Sequence, residues 1–99
     1  MITVLPSKAY EKWEDAAQWF VKSEIVGMAP FPLECPVLVR AICYYKGPEP
    51  DLSGCEESVG DAFEGILWAN DKQIMSWDGS RKRHDLKNPR TVITVRWAP

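Results

Sequence analysis

The sequence predicts an α+β domain in which two main helices pack on one face of a mixed or antiparallel sheet. Three features support this prediction: two segments with apolar residues at helical spacing, a run of β-branched and aromatic residues, and a C-terminal stretch of strict alternation. The 99 residues suffice for one core and are too few for two, so we expect a single domain over residues 1–99.

The N-terminal half is predicted to form a strand, a helix and a second strand. Residues 2–5 form a short strand that Pro6 ends, and Ser7 offers an N-cap for a helix over about residues 8–22. Prolines exclude a helix between residues 27 and 36. Residues 37–45 are almost wholly apolar, which predicts a central strand covered on both faces. The apolar stripe of the first helix consists of Tyr10, Trp13, Ala17, Phe20 and Ile25.

The C-terminal half is predicted to form a helix and further strands. A second helix is expected over about residues 53–64, ending at Gly65. Residues 73–77 and 81–84 flank the turn dipeptide Asp78-Gly79, which predicts a hairpin or a bent strand. Residues 91–97 form a final strand with Thr91, Ile93, Val95 and Trp97 on one face. The stripe of the second helix is Leu52, Cys55, Val59, Ala62, Phe63 and Ile66.

Charge is distributed unevenly along the chain. The net charge is −2, but residues 51–71 contain six acids and no Lys or Arg, whereas residues 72–90 contain six bases and only two acids. A metal-dependent enzyme that acts on a polyanion needs such a pairing, because carboxylates hold the cation while Lys and Arg bind phosphates.

Other classes of protein are disfavoured by the sequence. No apolar run approaches the roughly 18 residues that span a bilayer, and no signal-peptide pattern is present, so we expect a cytoplasmic protein without a membrane partner. The spacing of Cys35, Cys43 and Cys55 matches neither a disulfide framework nor a zinc site, which predicts reduced thiols. The absence of Ser-His-Asp, P-loop and Gly-x-Gly-x-x-Gly patterns disfavours the commoner acyl-transfer and nucleotide-binding functions.

Acidic residues share one face of the second predicted helix. Glu57, Asp61 and Glu64 lie at i, i+4 and i+7, where like charges repel by a few tenths of a kcal/mol unless a cation offsets them. Asp51 precedes this helix and Asp71 follows it. Two or three convergent carboxylates suffice for Mg²⁺. The alternative is a solvated acidic face, with Asp51 acting as a helix cap.

The segment that contains these acids resembles a long sequence motif. Residues 50–74 are PDLSGCEESVGDAFEGILWANDKQI, and residues 5–10 are LPSKAY. They resemble the signature of the RusA-type Holliday-junction resolvase family, in which Pro-Asp-x-Asp-Asn opens a helix that carries a Lys and Asp-Ala-Leu, and a loop ending in Asp-Asp leads into a strand. The resemblance covers nearly the whole chain, but it implies that the N-terminal strand of the family is missing, as in a truncated or minimal form.

The resemblance implies an activity and a site. Members cut four-way (Holliday) DNA junctions by phosphodiester hydrolysis in recombination and repair, as Mg²⁺- or Mn²⁺-dependent homodimers from bacteria, phages or prophages. Matching motif positions makes Asp51, Asp61 and Asp71 the catalytic, metal-binding residues. Ser53 stands for the motif's second aspartate and is expected to contact the metal through its hydroxyl or a water.

Departures from the motif leave two alternatives open. Gly54 replaces its asparagine, Asn70 the first closing aspartate and Glu57 the helix lysine. A lysine there could neutralise the scissile phosphate, whereas a glutamate can only add a ligand or repel the substrate. One alternative is therefore a junction-binding module with weakened or lost catalysis, and another is an acidic interaction protein without a DNA partner.

Basic residues after Asp71 are expected to contact DNA phosphates. The alternative for residues 81–84 is a solvated hairpin tip. Trp68 and Trp77 are expected either to stack on unpaired bases or to pack in the core or an interface. The residues predicted to contact DNA are Lys72, Arg81, Lys82, Arg83, His84 and Lys87.

Overall fold

The computed structural model describes residues 1–5, 13–28 and 31–98. Over these residues it confirms the predicted α+β class, with two helices and a mixed sheet of five strands. Ser7 and Tyr10 lie outside the described residues. No described helix has the length and apolar character needed to cross a membrane. The elements are β1 (Ile2–Leu5), α1 (Trp13–Glu24), β2 (Val37–Tyr45), α2 (Leu52–Ala62), a 3-10 turn (Asp71–Gln73), β3 (Ile74–Ser76), β4 (Arg81–His84) and β5 (Arg90–Trp97).

The sheet is built around β2. Its order is β1-β5-β2-β3, with β4 also paired to β2; β5 is antiparallel to both neighbours, whereas β3 and β4 run parallel to β2. β3 pairs with Val37 and Leu38 and β4 with residues 42–45, so they follow one another along the same edge of β2. Between them the Ser80 hydroxyl accepts a hydrogen bond from the Ala41 N–H at 3.0 Å. Of the two predicted forms, the bent strand is therefore correct.

The two faces of the sheet differ in burial. On β2, Val39 and Ala41 are buried, whereas Ile42 is only half-buried and Arg40 is exposed. The prediction that this strand is covered on both faces is wrong. Helices α1 and α2 pack against the same side of the sheet, and no helix of the described residues packs on the other side, which we call the open face. On β5, the face predicted for Thr91, Ile93, Val95 and Trp97 is the one that meets the core: the first three residues are buried, whereas Trp97 is exposed.

The helices close the core from one side. The buried residues of α1 are Trp13, Ala17 and Val21. Phe20, predicted for this stripe, is 43% exposed, because Val21 lies four residues after Ala17 and takes the inward position. The Gln18 side chain donates from Nε2 to the Ala62 carbonyl at 2.9 Å and joins the two helices.

The predicted apolar stripe of α2 is largely confirmed. Cys55, Val59, Ala62 and Phe63 are buried, and the helix ends two residues earlier than predicted, before Gly65 takes a positive φ of 84°. Cys35, Cys43 and Cys55 are reduced thiols, as predicted.

Trp68 belongs to the core. Its side chain is fully buried, its Nε1 donates to the Gly60 carbonyl at 3.2 Å, and its ring meets Phe63 edge-on at 6.3 Å. Stacking of Trp68 on DNA bases is therefore excluded as an interpretation.

A substitution at Gly60 can test the packing between α2 and the β3 edge. A Cβ at this position would lie 3.8 Å from Cζ2 of Trp77 and 4.0 Å from Cδ1 of Ile74, which is ordinary van der Waals contact. We therefore expect Gly60→Ala to raise the free energy of unfolding by about 0.5–1 kcal/mol, because alanine loses less backbone entropy in a helix. Urea denaturation measures this change, with Gly54→Ala as the control in the same helix. Destabilisation by Gly60→Ala alone would contradict the packing.

Asp85 orders the turn between β4 and β5. Its Oδ1 accepts from the backbone N–H groups of Lys87 at 3.0 Å and Asn88 at 3.1 Å, and its Oδ2 accepts from Arg90 at 3.0 Å. These bonds, those from Asn88 and Lys87 foremost and that from Arg90 after them, lower the pKa of the Asp85 carboxyl.

A lowered pKa in the folded state means that the stabilisation is present above the ordinary pKa of about 3.9 and is lost as pH falls through the folded value. We expect Asp85→Asn to lower the Tm at pH 7 and the difference from the wild type to shrink below about pH 4. Thermal melts across this range measure it. A constant difference at every pH would contradict the role of the charged carboxylate.

Candidate active site

An open cavity of about 270 Å³ lies between α2 and the β3 edge. On α2, Ser53, Glu57 and Asp61 are spaced at i, i+4 and i+8 and therefore share the face that borders it. Of the residues predicted to bind metal, Ser53, Asp61 and Asp71 thus border one cavity. We call it the acidic cavity, and its lining residues are Ser53, Glu56, Glu57, Gly60, Asp61, Asp71, Ile74 and Trp77.

Asp71 is the first residue of a 3-10 turn, and the side chains of Asn70 and Gln73 cap this turn. The Asn70 side chain accepts from the Lys72 N–H at 2.9 Å, and the Gln73 side chain accepts from the Asn70 N–H at 2.7 Å. This reciprocal capping box fixes the backbone on either side of Asp71.

Two further contacts anchor this turn to the rest of the fold. The Gln73 amide donates to the carbonyls of Leu33 at 2.8 Å and Cys35 at 2.9 Å, in the segment before β2. The Asp71 N–H donates to Glu64 Oε1 at 3.2 Å. Glu64, which shares the acidic helix face in the sequence, therefore supports the backbone of Asp71 and does not line the acidic cavity.

Asp51 lies at the start of α2 and is not among the residues that line the acidic cavity. It occupies the N-cap position of α2 with extended backbone angles (φ −77°, ψ 133°), is exposed, and makes no side-chain capping bond. The alternative in which its carboxylate caps the helix through a hydrogen bond is therefore not realised. Because Asp51 is not among the lining residues, the acidic cavity brings Asp61 and Asp71 together without it.

Lys82 connects β4 to the start of α2. Its ammonium donates to Glu49 Oε1 at 2.9 Å and to the Pro50 carbonyl at 3.1 Å. The bond to Glu49 raises the pKa of Lys82 above its ordinary value, although partial burial opposes this, and the charge of Asp51 adds to the increase. The ammonium is thus engaged by the segment that precedes Asp51.

The donors of the acidic cavity suit a hard cation. Ser53, Asp61 and Asp71 offer only oxygen atoms, which Mg²⁺ and Mn²⁺ prefer, and Mg²⁺ needs only one or two carboxylates because water completes its shell. Among the described residues, no three His, Cys, Asp or Glu side chains are grouped so that they could hold one ion. By chemistry, the donor set fits a cation that keeps several waters.

The basic residues predicted to contact DNA do not share one surface. Arg81 and Arg83 pair with Ile42 and Tyr44 and therefore lie on the open face. Lys82 and His84 alternate with them and point to the helix side, where the His84 ring lies 5.3 Å from the ring of Tyr45. Lys72 is exposed in the 3-10 turn, and Lys87 is exposed in the turn after β4.

Sequence reasoning missed two arginines. Arg40 and Arg96 border an open-face cavity of about 290 Å³. The strict alternation of β5 could have indicated Arg96, because it falls opposite to the buried Ile93 and Val95. No local pattern indicated that the open face would extend to Arg40.

Comparison with known families supports the resemblance to the RusA-type family. A family model described as Endodeoxyribonuclease RusA matches residues 2–96. This range begins in β1 and includes α2, the acidic cavity and all but the last residue of β5. No curated protein shows a significant match to the sequence. Because the family model spans almost the entire sequence, the chain belongs to the RusA endodeoxyribonuclease family.

Proposed function

We propose that the protein is a structure-specific endodeoxyribonuclease that uses Mg²⁺ or Mn²⁺ to cut four-way DNA junctions in recombination or repair. The observation that carries this proposal is the acidic cavity, in which Ser53, Asp61 and Asp71, the residues at matching motif positions, border a common space. Family membership supports the nuclease activity, and the all-oxygen donor set supports the choice of metal.

Each of these residues has a proposed task. Asp61 and Asp71 hold the cation directly, and the Ser53 hydroxyl contacts it directly or through water. A bound Mg²⁺ or Mn²⁺ supplies an activated water and stabilises the leaving 3′ oxygen. The capped turn fixes the backbone that carries the Asp71 carboxylate without help from the substrate, which lowers the entropy cost of assembling the site.

Asp51 is the remaining proposed ligand. It precedes Ser53 by two residues, and its exposed carboxylate is not engaged in capping α2, so it is available to complete the site when a cation and DNA are present. Lys82 holds the preceding segment through Glu49 and Pro50 and so limits how far Asp51 can move. We therefore propose that Lys82 supports Asp51 in addition to its electrostatic attraction for DNA.

The proposed partner is branched DNA, bound by a homodimer. Two symmetry-related sites suit a substrate in which two strands must be cut. Lys72 is exposed beside Asp71 and is proposed to contact the DNA closest to the acidic cavity, and His84 and Lys87 are proposed to contribute further out. The proposed setting is the cytoplasm of a bacterium, where the gene could be cellular, phage or prophage.

Asp71→Asn tests the proposed site. Loss of one charged ligand is expected to lower the rate of Mg²⁺-dependent cleavage of a synthetic four-way junction by at least about 100-fold, because metal-assisted charge stabilisation is worth several kcal/mol. Junction binding in EDTA should be retained. Asp15→Asn, on the exposed side of α1, is the charge-matched control. Full cleavage activity of Asp71→Asn would refute the role of this residue.

A second candidate function is junction binding without cleavage. It is favoured by Glu57, which lines the acidic cavity at the position where the family motif has a lysine. A carboxylate there adds negative charge in the space that a scissile phosphate must enter.

Glu57→Lys separates the two functions. Under the nuclease proposal, the new ammonium is expected to raise the cleavage rate of an already active protein about tenfold, or about 1.4 kcal/mol, by neutralising the phosphate. Glu57→Gln is the control that removes charge without adding any, and it should give a smaller increase. A wild type that binds junctions but nicks them only after Glu57→Lys would establish the binding module, and a strong loss in both variants would make Glu57 a metal ligand.

A further inference from the structure

All five arginines of the chain lie on the open face of the sheet. Arg40 is exposed on β2; Arg90 and Arg96 alternate with the buried residues of β5; Arg81 and Arg83 pair with half-buried residues of β2. The strand positions that share this face contain no Asp or Glu on β1, β2, β4 or β5. The acids of α2 lie on the other side of the sheet. The two sides of the sheet therefore carry opposite charge, with the arginines on the open face and these acids on the helix side.

Four of these arginines are available to an external anion. The ion pairs among the described residues join Arg90 to Asp85 and Lys82 to Glu49, and Arg90 also covers the Tyr44 ring at 3.8 Å. The other four guanidinium groups have no carboxylate partner in the described part of the chain. With strands about 4.8 Å apart and a rise of about 3.3 Å per residue, they span roughly 20 Å by 10 Å.

Arg40 is held against the fold. Gly79, in the turn between β3 and β4, has a φ of +86°, and a Cβ there would lie 2.7 Å from Cδ of Arg40. The stem of Arg40 thus occupies space that only glycine leaves open. Beside it, Arg96 pairs with Leu38 and so lies diagonally across the ladder from Arg40, with Thr94, Ser76 and Asp78 completing the cavity.

We propose that the open face is a second DNA-binding surface, which contacts the phosphate backbone of a duplex arm through Arg40, Arg81, Arg83 and Arg96. This proposal rests on the proposed function and extends it to a surface behind the acidic cavity. Charge complementarity favours a polyanion, since arginine binds phosphate with a planar fork of donors. Tyr44 is covered by Arg90, so the described strand positions of this face offer no free aromatic ring for stacking on single-stranded bases, which favours contacts with the phosphate backbone.

The path between the two surfaces is short. Ile74 and Trp77 line the acidic cavity, whereas Ser76 and Asp78, in the same segment, line the cavity beside Arg40. The edge strand β3 therefore separates the two sites by the thickness of one strand. DNA that leaves the acidic cavity can cross this edge and continue over the arginines, as a branched substrate with diverging arms requires.

The salt dependence of junction binding tests the proposal. In EDTA, a labelled four-way junction is titrated with wild type, with the double variant Arg40→Gln/Arg96→Gln and with the control Lys22→Gln on α1, from about 50 to 200 mM salt. Each lost phosphate contact is expected to reduce the slope of log K against log [salt] by about 0.9, and affinity at low salt by roughly tenfold. The double variant should therefore lose about two units of slope, while Lys22→Gln matches the wild type.

Three outcomes would contradict the proposal that the open face binds DNA. These are an unchanged slope in the double variant, no junction binding by the wild type at low salt, or a shift from dimer to monomer in light scattering, since the last would mean that a second copy covers this face. Matching thermal melts exclude unfolding as the cause. Cleavage in Mg²⁺ is scored separately: a wild type that binds through these arginines but never nicks would reject the nuclease and keep the surface.

Discussion

The antiparallel ladder between β2 and β5 is the constraint on which the rest of the structure depends. Eight residue pairs, from Val37 with Trp97 to Tyr44 with Arg90, set its register. Because side chains alternate with a period of two, the same register buries Val39, Ala41 and Ile93 against the helices and directs Arg40 and Arg96 outward. A slip of one residue would bury arginines and expose the core, so core formation and charge segregation have a single origin.

The position of the acidic cavity depends on how α2 packs on this core. The apolar stripe of α2 packs on β2, which directs the opposite stripe, with Glu57 and Asp61, away from the core and toward the β3 edge. Asp71 reaches the same edge because Gln73 is bonded to the carbonyls that precede β2. Asp61 and Asp71 therefore border one cavity through two separate anchors, the packing of α2 on β2 and the bonds of Gln73 to the segment before β2, neither of which involves their own carboxylates.

The sequence was sufficient for whatever depends on local periodicity. Periodicity predicted both helices, the central and final strands and the buried stripe of α2. The motif resemblance placed Asp51, Asp61 and Asp71 at one site, and of these Asp61 and Asp71 border the acidic cavity. The sequence was insufficient for features that depend on which strands pair with each other. Nothing local shows that β3 and β4 share one edge of β2, and this register is what turns Lys82 toward Pro50 while Arg81 faces outward. Composition also misled: the apolar run of β2 predicted two covered faces, although no helix in the described part of the chain packs on the open face.

The net charge of −2 does not describe the surface of the protein well, because positive and negative side chains lie on opposite sides of the sheet. An averaged charge near zero would steer a polyanion weakly, but the arginines of the open face and the acids of the acidic cavity are separated by the sheet and would therefore act on different parts of a DNA ligand. Under the proposed function, the open face would attract phosphates at any metal concentration, whereas the acidic cavity would repel them until a divalent cation offset Glu57, Asp61 and Asp71. The proposal therefore places DNA binding and entry into the acidic cavity under separate electrostatic control, so that DNA would be held on the open face before a scissile phosphate reached the carboxylates.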